Sequence, residues 1–399
     1  MRLTEDRVVP ALAKKNERVL GMFGGERPGP LVFLVGGIHG NEPAGVRAAR
    51  RVLEVLEREE CVVQGKVVAL AGNLRALRDG RRFVREDLNR IWIEEQVARL
   101  RATDAGDLEA EDRELSELLA VMEREIEGGE WEQVVLLDLH STSAHGAPFS
   151  IMADTLANRS VAFALPIPVI LGLEERVQGT LLSYFGDRGY VAVCVEGGQN
   201  ESPQTIDHHV AAIWLTLVSA KALVEGEAPW LAEERQLLED TAWGLPRVIE
   251  VRYRFPVPNG TRFTMMPGFS NFDIIEAGEP LAHVGPGAGE EVQAPDDGLL
   301  LMPRYQGQGE DGFFLGNEVR RFWLGVSAGL RKLRLGWILP LLPGVRREAQ
   351  TTDVLRADSR VARWAVVELF HLFGYRWSRT EGRELVFVRR RERSQPTRS

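Results

Sequence analysis

The sequence predicts an α/β fold, a mixed sheet with helices on both faces, followed by a small β domain and a C-terminal α+β tail. Three observations predict it. From Arg18 to about residue 240, short apolar runs alternate with segments in which apolar residues recur at helical spacing, the pattern of strands joined by crossover helices. Between Pro246 and Phe322 the apolar runs are short and broken by Gly and Pro, as expected of a small β domain. A hydrophobic content of 44% over 399 residues, without low-complexity tracts, is enough for a large core and an appended domain. The expected units are 1–240, 241–322 and 323–399.

Along the chain, Val19 to Phe23 and Leu31 to Val35 are β-like runs separated by Gly24, Gly25, Pro28, Gly29 and Pro30, which reads as a hairpin. A glycine-rich turn follows, then Val46, Ala49, Leu53 and Leu56 at helical spacing. Lys66 to Ala71 reads as a strand. Leu115, Leu118, Leu119, Met122 and Ile126 mark an amphipathic helix, and Val134 to Asp138 a buried strand. Val169 to Leu171 is a strand, the stretch around Leu181 helical, Tyr190 to Val195 a strand, and Thr205 to Val224 a helix. After the charged segment Glu225 to Asp240, strands are expected at Tyr253, Phe269 to Ile275, Leu281 to Val284 and Leu299 to Met302. In the tail, Val361, Trp364, Ala365, Glu368 and Leu369 suggest a helix, and Tyr375 to Val388 a hairpin turned at Glu381-Gly382.

Composition narrows the function classes. The net charge of −9 comes from interspersed acidic and basic residues, without the continuous basic face that nucleic-acid binding requires. Cys61 and Cys194, the two cysteines, sit in apolar runs and read as buried free thiols of a reducing compartment. Met1 to Leu20 is charged throughout and lacks the apolar core of a secretory signal, so the cytoplasm is expected. The run Trp323 to Val345 is interrupted by Arg331, Lys332 and Arg334 and crowded by Pro340 and Pro343. It is too broken to span a bilayer, and reads as core or as a protein-contact surface.

Chemistry concentrates at four places. Gly36-Gly37-Ile38-His39-Gly40-Asn41-Glu42-Pro43-Ala44-Gly45 follows a strand and opens a helix, the edge at which α/β folds build their sites. A phosphate cradle is the competing reading, but the run lacks both G-x-G-x-x-G spacing and a following Gly-Lys-Ser/Thr. Asp138-Leu139-His140-Ser141-Thr142 brings a second imidazole to a strand end, 98 residues after Glu42. Two imidazoles and one carboxylate with a fourth position open make the ligand set of catalytic zinc. Asp138 is a candidate for orienting His140, with a turn cap as the plain alternative. Asn73, Arg82-Phe83 and Asp87-Leu88-Asn89-Arg90 form polar loop segments: solvated surface on the plain reading, or a guanidinium for an oxyanion and an Asn-Arg pair for a carboxylate. Glu196 ends an apolar run before Gly197-Gly198 and is the best-placed base beside such a metal, or else a turn residue.

Taken together, G-G-x-H-G-N-E, R-F-x-x-x-D-L-N-R, D-L-H-S-T and V-E-G-G resemble the succinylglutamate desuccinylase and aspartoacylase family, relatives of the zinc carboxypeptidases. The resemblance runs from about Arg18 to Phe322 and leaves the tail unexplained. It implies a zinc carboxypeptidase-like fold, one zinc per chain held by His39, Glu42 and His140, Arg82 as the carbonyl-polarising group, Asn89 and Arg90 as a carboxylate clamp, and Glu196 as general base. The implied reaction is amide hydrolysis of an N-acyl amino acid or related small carboxylate. Carboxypeptidase-like cleavage of short peptides and a non-catalytic binding protein on the same fold stay open. Members that cleave acidic N-acyl amino acids carry a further arginine shortly before the glutamate, where the nearest candidate is Arg188. His145, His208 and His209 lie near the motifs, as pocket-lining or structural residues. The partners expected are a small carboxylate substrate, no nucleic acid and no membrane, with a homo-oligomer left open.

Overall fold

The computed structural model describes residues 17–258, 260–287, 289–348, 351, 353–360 and 366–391. Its centre is an 11-stranded mixed sheet. In chain order the strands are β1 (Val19–Gly24), β2 (Leu31–Gly36), β3 (Lys66–Ala71), β4 (Val134–Thr142), β5 (Phe149–Met152), β6 (Val169–Leu171), β7 (Val191–Gln199), β8 (Val248–Pro256), β9 (Phe263–Met265), β10 (Ile274–Ile275), β11 (Pro280–Val284), β12 (Glu290–Gln293), β13 (Gly298–Leu301), β14 (Asp311–Glu318), β15 (Val345–Arg347), β16 (Val354–Asp358), β17 (Tyr375–Glu381) and β18 (Glu384–Arg389). The order across the large sheet is β1-β3-β2-β4-β7-β5-β6-β8-β14-β13-β10, and β3, β2, β4 and β7 run parallel.

Alternation along these strands decides which side chains meet. In β2, Val32 and Leu34 join one core cluster, and Leu31, Phe33 and Val35 the cluster on the opposite face. The first face is covered by helices Ala44–Arg58 and Gln204–Ser219, the second by helices Ala110–Glu127 and Leu181–Asp187. Central strands buried on both faces read as continuous apolar runs, which is why β2, β4 and β7 are legible in the sequence. Cys61 and Cys194 are both buried, as expected. No described helix is long and apolar enough to cross a membrane.

The expected hairpin does not form. β1 pairs antiparallel with β3, and β3 stands between β1 and β2. All six residues of β2 are buried, so it needs cover on both faces and a partner on both edges, whereas half-exposed β1 suits the sheet edge. β4 and β7 also run further than expected, to Thr142 and Gln199, so His140 and Glu196 lie within paired strands rather than beyond their ends. Gly197 makes this possible, because a Cβ there would sit 2.7 Å from the buried His209 ring.

Strands β8, β14, β13 and β10 continue the large sheet, while β12-β11-β9 form a three-stranded sheet over a separate core that includes Leu281, Phe313 and Leu315. Of the stretch Phe269 to Ile275, Ile274–Ile275 is the strand. The charged segment after Val224 contains the helix Leu231–Thr241, which buries Leu231 and Leu238. In the tail, β15-β16-β18-β17 form a sheet with its own core around Phe370 and Phe387, and β17 and β18 make the expected hairpin. Glu368 and Leu369 lie in the helix Val366–Leu372; Val361, Trp364 and Ala365 fall outside the described residues.

Candidate metal centre and active site

Register brings the central residues together. His140 on β4 pairs with Glu196 on β7, and Asp138 with Cys194. Side chains two residues apart share a face, so Asp138, His140 and Glu196 all project on the side of the cluster containing Leu136 and Ala192. β2 is the next strand over, and the turn after it supplies His39 and Glu42. That turn needs its glycines: Gly37 has φ +72°, and a Cβ on Gly40 would fall 1.9 Å from the Ala76 carbonyl carbon.

Glu42 stands between the two imidazoles. His39 Nδ1 lies 2.9 Å from its Oε1, and His140 Nδ1 2.9 Å from its Oε2. Behind each ring is another carboxylate: Asp87 Oδ1 is hydrogen-bonded to His39 Nε2 at 3.0 Å, and Asp138 Oδ2 lies 3.0 Å from His140 Nε2 but out of hydrogen-bond geometry. Candidate ligand atoms of His39, Glu42 and His140 lie within 4.8 Å of one another, and all three residues are buried. Two nitrogens and a carboxylate oxygen, with each imidazole backed by a carboxylate, fit zinc better than magnesium or calcium, which take oxygen shells.

Burial alone would raise the Glu42 carboxyl, but His39 and His140 hold it well below the usual carboxylate range. His140 goes the other way: burial disfavours its charge, but Asp138 and Glu42 more than compensate and raise it well above the ordinary imidazole value. Glu196 is pushed up to about 8 by burial, with the nearby charges of Glu42 and Asp138 adding to the rise and those of His140 and Arg82 opposing it. Its Oε2 is buried without a hydrogen-bond partner. Arg82 donates from Nη1 to Glu42 Oε1 at 3.1 Å and from Nε to Asp87 Oδ2 at 3.2 Å.

A cavity of about 140 Å³ is lined by His39, Glu42, Arg82, Asn89, Arg90, Asp138, His140 and Glu196. Every residue that the motifs singled out as ligand, base, polariser or clamp therefore faces one space. Both clamp residues are already engaged with protein groups. Arg90 donates from Nη2 to Asp311 Oδ2 at 2.8 Å, and Asn89 Oδ1 accepts the Leu181 backbone N–H at 2.9 Å. Asn73 is structural, capping the helix Leu74–Asp79 and donating to Glu111. Arg188 lies off this cavity, bound to Glu94 and stacked on Tyr184. His145 is exposed, His208 binds the Gly197 carbonyl oxygen at 2.7 Å, and His209 is buried beneath Gly197; none of the three lines the cavity.

Three contributions escape local sequence reading. Asp87 orients His39, binds Arg82 and accepts the Asn89 N–H at 2.8 Å, though in sequence it is one more acidic loop residue. Glu111, buried in the helix Ala110–Glu127, accepts the backbone N–H groups of Val84, Arg85 and Glu86 and so pins the loop that carries Arg82. Arg304, Gln306 and Glu310 from the segment between β13 and β14, with Asp311 at the start of β14, complete the cavity wall. Only strand order brings that segment over the site.

Comparison with known proteins agrees with this architecture. Residues 28–208 match the model of the succinylglutamate desuccinylase/aspartoacylase catalytic domain. A succinylglutamate desuccinylase of Ectopseudomonas mendocina is 32% identical over 123 residues, 29% of this chain and 36% of that protein. One from Pseudomonas paraeruginosa is 39% identical over 61 residues, 15% of this chain and 18% of the relative. The matched stretch thus spans about a third or less of these relatives' length. Among solved structures, a succinylglutamate desuccinylase/aspartoacylase from Rhodobacter sphaeroides shares the fold at TM-score 0.53 and 19% identity, covering 75% of this chain and 88% of that one. The product-bound ectoine utilization protein EutE (DoeB) from Ruegeria pomeroyi does so at TM-score 0.54 and 18% identity, covering 74% and 87%. The ordered motifs and the fold thus agree in making residues 28–208, a little under half of the chain, similar to the succinylglutamate desuccinylase/aspartoacylase catalytic domain.

Proposed function

We propose that this protein is a zinc-dependent deacylase that hydrolyses the amide bond of an N-acyl amino acid or related small carboxylate. The observation that carries the reading is the buried Glu196 carboxylate, one oxygen unpartnered, next to a His39–Glu42–His140 cluster whose imidazoles are each backed by a carboxylate. His39, Glu42 and His140 would hold the ion, which when bound supplies Lewis acidity and lowers the pKa of water at the site from about 15.7 toward about 7.

The chain's own groups do the rest. Glu196 takes the proton from the attacking water and returns it to the departing amine; a carboxyl raised by burial is suited to both roles near neutral pH. Arg82, held by Glu42 and Asp87, presents a fixed positive charge to the oxygen on which negative charge develops. Arg90 and Asn89 bind the substrate carboxylate, for which Arg90 exchanges its contact with Asp311.

The test is Glu196→Gln, assayed on a panel of N-acyl amino acids and dipeptides with metal content measured in parallel. The variant is expected to retain zinc and fold while losing ~10²- to 10⁴-fold in turnover, the usual share of general acid-base catalysis. Undiminished turnover in the zinc-loaded variant removes Glu196 as the base. Wild-type protein that neither takes up zinc nor cleaves any member of the panel removes the whole reading.

A further inference from the structure

The C-terminal part of the chain differs in charge from the rest. Residues 319–399 hold eighteen Lys and Arg against seven Asp and Glu, a net +11 within a chain whose total is −9. From Val319 to Arg347 there are seven basic residues and no acidic one. The helix Arg321–Lys332 turns Ser327 inward, and Leu324 and Leu330 pack against core clusters. Its other side shows Phe322 and Gly325, Gly329 and, just past its end, Leu333, at positions i, i+3, i+7 and i+11, with Phe322 70% and Leu333 71% exposed. The following turn of 3₁₀ helix, Leu335–Leu341, exposes Trp337 by 62% and Leu341 by 73%. Arg320, Arg321, Lys332, Arg334 and Arg347 are exposed, and none forms an ion pair among the described residues.

We propose that residues 320–347 seat this protein on the surface of an anionic lipid bilayer, with Phe322, Leu333, Trp337 and Leu341 entering the headgroup region and the unpaired basic residues facing lipid phosphates. Large aromatic and leucine side chains beside Lys and Arg, with no acidic residue among them, make the composition of an interfacial segment. A second copy of the chain is a poorer occupant, since a symmetric contact would set like charges against each other. Nucleic acid would satisfy the charge but leave Leu333 and Leu341 exposed. The expectation of no membrane rested on the run being too broken to span, and lying on a surface needs no unbroken apolar length.

The test is co-sedimentation of the full chain with phosphatidylcholine vesicles, with and without about a third phosphatidylglycerol. Partition is expected to favour the anionic vesicles by at least about tenfold and to fall as salt rises. Arg321→Glu with Lys332→Glu should lower it by about 25-fold or more, taking about fivefold per basic residue lost near the surface. Phe322→Ser with Trp337→Ser should lower it as well, and because these side chains are exposed both variants should melt like wild type. Absent partition, equal partition into both vesicles, or partition unmoved by either variant overturns the proposal. So does a dimer in light scattering that the Phe322/Trp337 variant dissociates, which would make the strip a self-association surface.

Discussion

Replacing Asp87 by Asn tests how the site is held. Asp87 is 3% exposed and touches three groups at once: His39 Nε2 at 3.0 Å, the Arg82 guanidinium at 3.1 Å and the Asn89 N–H at 2.8 Å. Accepting a hydrogen bond from Nε2–H leaves the Nδ1 lone pair of His39 directed at the Glu42 side, where a metal ligand is needed. An asparagine can keep the contacts of one oxygen only, either His39 with the Asn89 N–H or Arg82, loses the charge, and turns an amide donor toward the group left over. Loss of such a carboxylate behind a ligating imidazole typically weakens metal binding 10- to 100-fold, about 1.4 to 2.7 kcal/mol. Zinc affinity measured by chelator competition on wild type and Asp87→Asn should show that drop, and Asp87→Glu, which keeps the charge at altered reach, should fall between them. Affinity within twofold of wild type for Asp87→Asn would mean that Asp87 serves the loop alone. Because the readout is zinc affinity, it stands apart from any substrate.

Other perturbations follow from the same contacts. Arg90→Lys keeps charge but loses the paired contact with a carboxylate, so kcat/KM should fall roughly 10- to 150-fold on a free-acid substrate and less on its amide; equal losses on both would assign Arg90 to bracing Asp311. Arg390, from the tail, binds Glu174 at 2.8 Å and Glu175 at 2.7 Å in a buried cluster against the cavity wall. Arg390→Ala should cost about 3 to 5 kcal/mol in denaturant unfolding by stranding Glu174, and adding Glu174→Gln should recover part of it; strict additivity of the two changes would refute the coupling. His371 lies between Glu175 and Glu250, and although burial opposes its charge these partners raise it to about 9 from an ordinary 6.5. Its contribution, of order 3 kcal/mol, is full below about pH 6.5 and lost as pH rises through about 9, so His371→Gln should flatten the fall in unfolding free energy across that window.

The sequence by itself determined the features that depend on short-range periodicity. The apolar runs Leu31 to Val35, Val134 to Leu137 and Val191 to Val195 marked β2, β4 and β7, because the stretch of a strand buried on both faces in the core carries no alternating polar positions. The three-residue spacing of His39 and Glu42 placed both in one turn, whereas the two-residue spacing of Asp138 and His140 puts both on one face of β4 only because the strand runs on to Thr142. Chemistry then singled out Glu196, which the register of β4 against β7 sets beside His140. Tertiary structure decided whatever depended on which distant segments became neighbours. β1 joined β3 rather than β2 because a fully buried strand cannot accept a half-exposed partner at the cost of a central one. Asp87 faced His39, Glu111 pinned the Arg82 loop, Arg304 closed the cavity and Asp311 engaged Arg90 only once strand order had fixed the sheet. Local spacing says which face a side chain occupies. It carries no information on what a charge will meet across the fold, because ion pairs form between whatever groups the packing of apolar faces leaves within reach.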